Sequence, residues 1–316
     1  MKTMARKSRD AFTLIELLVV VSIIALLISI SVPAFKRVRI QAKEVASKQL
    51  LTNLESGLES FRSEKALGNR LPPSASDAGD GFISDPFTGV RLPSTGASLL
   101  AYAMAGTDKR GTAGFRQVST EASWADSLDN LYLDPNATRY KPFVGDTAMK
   151  QLKTIAETRA AGFELLPSNV IENQLVFTDL FNSPVLYYRA RKAARRMITN
   201  GAAVGIYDHT ENQVLTDAVK GPRRHLIKNP GYDNGVGVAT QYPKTPDSLP
   251  GNPGPDAESF GSFIIDHDAS GCVELPSDPN IVNCPKAIPH RAQDYLLISA
   301  GNDGIWGTTD DITNWN

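Results

Sequence analysis

Glu16 is the one charged residue in the run Phe12-Thr-Leu-Ile-Glu-Leu-Leu-Val-Val-Val-Ser-Ile-Ile-Ala-Leu-Leu-Ile-Ser-Ile. A carboxylate inside an apolar segment costs about 2.5–3.5 kcal/mol on insertion scales, so it marks a functional site and needs a cationic partner. An amino terminus newly made just ahead of it would supply that cation. At the other end of the chain, Asp303, Asp310 and Asp311 sit in a glycine-punctuated stretch that follows Tyr295-Leu-Leu-Ile-Ser299. Calcium takes about six to eight oxygen ligands, and glycine lets backbone carbonyls turn toward an ion. Asp-Gly and Asn-Asp turns also form without any metal, so both readings stay open here.

Other chemistry in the chain is thinner. Asp266-His-Asp268-Ala-Ser270-Gly271 matches the first half of an EF-hand loop. The match then fails, because Ser277 stands where the bidentate Glu belongs, so this is a weak second calcium candidate or an acidic turn. Cys272 and Cys284 are the two cysteines. They read as a disulfide in an oxidising compartment, worth roughly 3 kcal/mol in the loop-entropy model. A zinc pair fits poorly, because the spacing is wrong and only His267 and His290 lie near. The four histidines, His209, His225, His267 and His290, are scattered. No Gly-x-Ser-x-Gly elbow, Walker loop or dinucleotide fingerprint is present, so a non-enzymatic role is expected. A net charge of -1 with 21% charged residues calls for no nucleic-acid partner. The cluster Arg189, Arg191, Lys192, Arg195 and Arg196, joined loosely by Arg223 and Arg224, reads as a solvated or salt-bridged helix face rather than a phosphate-binding patch.

These residues need elements to place them. Residues 1–11 form a polar leader with Lys2, Arg6, Lys7 and Arg9 against Asp10, a flank that holds its end in the cytoplasm. Residues 12–33 are long and apolar enough to predict a transmembrane helix. Pro33 interrupts the helix and kinks it. Residues 34–67 predict its amphipathic continuation, with Val38, Ala42, Val45, Leu51, Leu54, Leu58 and Phe61 at helical spacing. Unbroken, such a helix would be roughly 80 Å long. A secretory signal peptide cut near Val32-Pro33-Ala34 is the competing reading, as is a plain single-span anchor. Neither gives Glu16 a purpose.

Residues 68–316 predict an α+β head with a small antiparallel sheet on the C-terminal half of the helix. Strands are expected in Gln174–Asp179, Val185–Tyr188, Ala203–Tyr207, Ser262–Asp266 and Asp294–Ser299, and helices in Asp146–Ala161 and Arg189–Thr199. Long loops or an inserted subdomain are expected over about 71–167, with 71–114 the least regular part.

Arg9-Asp10-Ala11-Phe12-Thr13-Leu14-Ile15-Glu16 resembles the cleavage and methylation signature of type IV pilins and pseudopilins. The resemblance implies that a prepilin peptidase cuts between Ala11 and Phe12 and that Phe12 is N-methylated. It also implies that Glu16 pairs with the terminal amine of a neighbouring subunit. The family has Gly before the cut, and this chain has Ala11. Ser299-x-Gly301-x-Asp303-Gly304, Gly307-Thr-x-Asp310-Asp311-Ile312 and Asn314-Trp315 resemble the tail of the major pseudopilin of type II secretion, whose loop, here 299–315, binds calcium. Side-chain ligation by Asp303 and Asp310, joined by Asp311, is what that resemblance implies, with backbone oxygens near Ser299, Gly301 and Thr308. Thr178 to Tyr187 looks like a degraded pseudopilin turn leading into the sheet.

The resemblance covers the two ends and leaves the middle to itself. It implies an inner-membrane protein with a periplasmic head, polymerising with itself and other pilin-like subunits on a secretion or pilus assembly platform. It implies type II secretion or a type IV pilus, in a position other than the tip, whose subunit lacks this acid. A membrane-tethered binding protein that never polymerises is the alternative.

Overall fold

The computed structural model describes residues 14–67, 69–74, 82–84, 91–93, 95–106, 108–112, 116–117, 131–132, 139–158, 174–191, 206–207, 209–212, 215, 241–243, 263–276, 278–283, 288–304, 306–308 and 310–315. Two compact units divide the chain, residues 1–43 and 44–316. Helix α1, Leu14–Ser63, is one element that contributes to both. Its sequence holds a single Gly and a single Pro among strong helix formers. Position 33 does not end it.

In the first unit the apolar side chains lie open. Leu14, Ile15, Leu17, Leu18 and Leu26 are all more than half exposed, as is Phe35. The hydroxyls of Ser22, Ser29 and Ser31 donate to the carbonyls of Leu18, Leu26 and Leu27, which satisfies them within the helix itself. Among the described residues no helix is long and apolar enough to cross a membrane. The expected span, 12–33, begins outside the described residues, at 12–13.

The second unit is α+β. Its described strands are β1 Phe82–Ser84, β2 Arg91–Pro93, β3 Arg116–Gln117, β4 Leu131–Tyr132, β5 Leu152–Thr154, β6 Leu175–Phe177, β7 Leu186–Arg189, β8 Gln241–Pro243, β9 Val273–Leu275, β10 Asp278–Asn283, β11 Tyr295–Ser299 and β12 Ile312–Thr313. All pairings are antiparallel. The sheet that organises the core has the order β12-β11-β7, with Leu297 opposite Tyr187 and Ser299 opposite Ile312.

Both faces of this sheet are buried, which the unbroken apolar run Tyr295-Leu-Leu-Ile predicts. Tyr187, Tyr295 and Leu297 point into one core, with Leu50, Leu51, Leu54, Leu58 and Phe61 of α1. Leu186, Tyr188, Leu296 and Ile298 point into the other, with Ile206, Tyr207, Ile264 and Trp306. This is the alternation a strand imposes. Each fully buried Leu contributes about 1.5–3 kcal/mol.

Helix α2, Gly96–Ala105, is buried along its whole length, in the range where the least regular backbone was expected. Thr95 caps it, its Oγ1 accepting from Ser98 N at 3.1 Å. Gly57 of α1 lets this layer close up: a Cβ there would stand 2.9 Å from Val144 Cγ1 and 3.0 Å from Met104 Sδ.

Several expectations are corrected. Val38 and Val45 are 62% and 68% exposed rather than packed. Nine residues at about 100° each put Val45 on the face opposite Leu54. The helix expected over Asp146–Ala161 is a single turn, Asp146–Met149, followed by β5 and a 3-10 turn. Pairing of β5 with β6 captures the segment, and Glu157 Oε2 accepts from Thr154 N to start a new turn. Of the helix expected from Arg189, Arg189 belongs to β7, and residues 192–199 lie outside the described ones. Of the two readings of the basic cluster, Arg191 takes the salt-bridged one: its Nη2 lies 3.6 Å from Glu211 Oε1, with both side chains buried. The strand expected at Ser262–Asp266 is reduced to a bridge between Ile265 and Pro289.

Candidate functional site

The sequence nominates sites at both ends of the chain. At the first, Ala11 and Phe12 lie outside the described residues, and Glu16 is exposed in the first turn of α1. An acid there complements the positive end of the helix dipole. Around it Leu14, Ile15, Leu17 and Leu18 are 57–81% exposed. The arrangement is one carboxylate held in an open apolar surface. The side chain of Pro33 lies outside the described residues.

At the other end the acidic loop connects β11 to β12. Asp310 organises it: Oδ2 accepts from the backbone N–H groups of Asn302 and Asp303 at 2.8 and 3.0 Å, and Oδ1 from Thr308 Oγ1 at 2.7 Å. Gly301 makes the fold of the loop possible, with a φ of +58° and space for no Cβ, which would meet Asp310 O at 2.2 Å. Asp311 lies deeper, its Oδ2 accepting from Gly307 N at 2.6 Å and its Oδ1 buried without a hydrogen bond. Burial pushes its carboxyl well above the usual range, the charges of Asp310 and Asp303 adding to the effect. Asp303 is exposed.

The oxygen-only donor set and the orphaned Asp311 Oδ1 fit the chemistry of a hard cation. The placement does not gather a full shell: among the described residues no group of three or more His, Cys, Asp and Glu is positioned to hold a metal ion. Backbone oxygens near the site are engaged too, Ala300 O by Gly304 N and Thr308 O by Asp311 N. Ser299 Oγ turns away to donate to Asp179 Oδ2 at 2.7 Å. Asp179 Oδ1 in turn accepts from Phe181 N and Ser183 N, forming the turn that leads into β7.

The EF-hand-like segment is a capped helical turn. Asp266 accepts from Ala269 N at 2.9 Å as N-cap of His267–Ser270, and Gly271 ends the turn in the left-handed conformation. Asp268 is exposed in that turn. Asp266 Oδ2 also lies 3.6 Å from His290 Nδ1, and the His290 ring stacks on Trp315 at 5.3 Å. Burial lowers the pKa of both His267 and His290, against the raising effect of the nearby aspartates. Cys272 is disulfide-bonded. Cys284 lies outside the described residues.

Sequence reasoning missed two features. The first is the junction of Glu55, Arg291, Asp294 and Asn314, which ties the C-terminal tail to α1. The signal was Glu55, an acid beside Leu54 on the packed face of an amphipathic helix. The second is a basic collar, Lys36, Arg37, Arg39 and Lys43, directly after the apolar run. Counting Lys and Arg on both flanks of that run would have found it.

Residues 6–32 match the model of the prokaryotic N-terminal methylation motif. The chain carries a prepilin-type signature. The match ends in α1, so the signature and the helix are one continuous piece of sequence. No curated protein and no solved structure matches the chain.

Proposed function

We propose that this chain is a structural pilin-like subunit, a pseudopilin, cut by a prepilin peptidase between Ala11 and Phe12 and N-methylated on Phe12. The observation that carries the reading is the methylation motif over residues 6–32 running without a break into a helix that starts at Leu14. In this reading residues 12–33 anchor the subunit in the inner membrane with its head in the periplasm. Subunits then polymerise with themselves and other pilin-like subunits on a secretion or pilus assembly platform. Glu16 would pair with a neighbour's amine, and the helix around Pro33 would pack in the filament.

The role is architectural rather than enzymatic. The likeness of the tail to the major pseudopilin favours type II secretion over a type IV pilus. It also makes calcium the ion we propose for the loop, held by Asp303, Asp310 and Asp311. When bound, it would neutralise carboxylate charge in the loop. The reading is tested by intact mass and N-terminal sequencing of the full chain co-expressed with a prepilin peptidase. A mature chain starting at methylated Phe12 is expected; an uncut Met1 or a start near Phe35 would sink the proposal.

A further inference from the structure

Asp179 is a carboxylate only 1% exposed, and burial of such a group is tolerated when hydrogen bonds saturate it. Oδ1 accepts from Phe181 N and Ser183 N, both at 2.8 Å, closing the turn that precedes β7. Oδ2 reaches across 120 residues of sequence to accept from Ser299 Oγ at 2.7 Å. Ser299 is the last residue of β11 and is fully buried. The acidic loop therefore starts from a residue whose side chain is pinned.

The turn that pins it is held from other sides as well. Leu180 N donates to Ser47 Oγ of α1 at 3.1 Å. Asn182 Oδ1 accepts from Lys153 Nζ of β5 at 2.6 Å, and Asn182 Nδ2 donates to Glu157 O at 2.8 Å. The backbone closes on itself, Asp179 N donating to Ser183 O and Asn182 N to Asp179 O. Asn182 takes a φ of +71°, a left-handed conformation that asparagine adopts more readily than most residues. Anchored on α1, β5 and β11 together, the turn is a fixed point in the second unit.

The loop needs a fixed point. Among the described residues its acids do not converge as a ready set of ligands, so a cation has to draw them together. Ser299 stands at the root of one limb, opposite Ile312 at the root of the other. Two residues on, Gly301 packs against Asp310, where a Cβ would stand 2.8 Å from Asp310 Oδ2. A shift of Ser299 is thus passed to the carboxylate that organises the loop. Groups that orient ligands without touching the ion set much of its affinity.

We propose that Asp179 is a positioning residue for a divalent cation in the acidic loop. Its Oδ2 holds Ser299, and so the limb on which Asp310 closes, while Asp179 itself stays off the ion. The inference rests on the calcium reading of the loop.

Calorimetric titration of calcium into the full chain in detergent micelles provides the test. Ser299→Ala keeps every carboxylate and backbone oxygen of the loop and should weaken calcium binding about 10–100-fold, the usual loss when an outer partner of a metal ligand is removed. Asp179→Asn keeps the Oδ1 acceptor of the turn and can donate its amide to Ser299 Oγ, so its affinity should stay close to that of wild type. Thr95→Ala uncaps α2 and should lower the melting temperature while leaving the affinity unchanged. Equal affinity in Ser299→Ala and wild type would overturn the proposal. So would a loss in Asp179→Asn, which would assign the effect to charge, or a loss in Thr95→Ala, which would assign it to the stability of the fold. A wild type that takes up no calcium defeats the calcium reading itself, whereas calcium bound equally by wild type and Ser299→Ala defeats the positioning alone.

Discussion

Arg291 Nη1 donates to Glu55 Oε1 at 3.0 Å across 236 residues of sequence. The same nitrogen donates to Asn314 O at 3.1 Å, Nη2 donates to Asp294 Oδ2 at 2.9 Å, and the guanidinium lies 4.8 Å from the Tyr295 ring centroid. One side chain thus joins α1, the start of β11 and the end of the tail. Asn314 completes the link, its Oδ1 accepting from Leu297 N and its Nδ2 donating to Glu55 Oε1. Any pull on α1 is therefore shared with the sheet that carries the acidic loop.

Arg291→Ala should destabilise the second unit by about 2 kcal/mol, because hydrogen bonds to charged groups are each worth about 1.5–3 kcal/mol and these are partly solvated. At this size the melting temperature should drop by roughly 4–8 °C. A double-mutant cycle with Glu55→Ala should return a coupling of about 0.5–3 kcal/mol. Additive losses would mean that the two residues act separately.

The two apolar faces of α1 give a paired prediction. Leu54→Ala removes a fully buried side chain and should cost about 2–5 kcal/mol in denaturant unfolding. Val45→Ala, on the opposite and exposed face, should change stability by no more than about 0.5 kcal/mol. Equal losses would show that the exposed face is packed in solution.

What could be read from sequence followed from the range of its signals. The spine was legible because its signal is local: helix formers, one face of Leu51, Leu54, Leu58 and Phe61, one acid in an apolar run. Strands β6, β7 and β11 were legible as short apolar runs between turn residues. Helix α2 was not, because a helix buried on all sides has no amphipathic period to detect. The fate of residues 150–158 was settled by β6, which lies beyond the reach of any local window. At the acidic loop the sequence shows Asp303, Asp310 and Asp311 only as three acids in one short stretch. Their division into an organiser, a half-buried acid and an exposed acid depends on backbone donors that no spacing rule supplies.

His267 and His290 predict a pH dependence. Both are lowered below the ordinary value of 6.5 in the folded chain, chiefly by burial. A lowered histidine binds fewer protons folded than unfolded, so its stability contribution is present above pH 6.5 and is lost as pH falls through that value toward the folded pKa. The difference in melting temperature between wild type and His290→Gln should therefore shrink between pH 7.5 and pH 5.5. A difference that stays constant over that range would remove His290 from the account.

Calcium gives a prediction about the tail. If Asp303, Asp310 and Asp311 hold the ion, adding it at a hundred times its dissociation constant should raise stability by about 2.7 kcal/mol over a chelator control. Asp303→Ala, which removes an exposed carboxylate, should abolish most of that increment while leaving the melting temperature in chelator nearly unchanged. A melting temperature indifferent to calcium would leave the loop as a metal-free turn organised by Asp310.

Glu16 decides between a subunit and a tether. Its charge opposes insertion by about 2.5–3.5 kcal/mol, so Glu16→Ala should leave membrane insertion intact or improve it. If the carboxylate pairs with the Phe12 amine of a neighbour, the same substitution removes the only charge available for that pairing within the apolar run, and filaments should be lost. Glu16→Gln keeps the size and a hydrogen-bonding group but not the charge, and should lose them as well. Sheared filaments counted beside carbonate-resistant monomer give both readouts from one preparation. Filaments at wild-type levels in the Ala variant would mean that register is set elsewhere on α1, and the pairing would have to be abandoned.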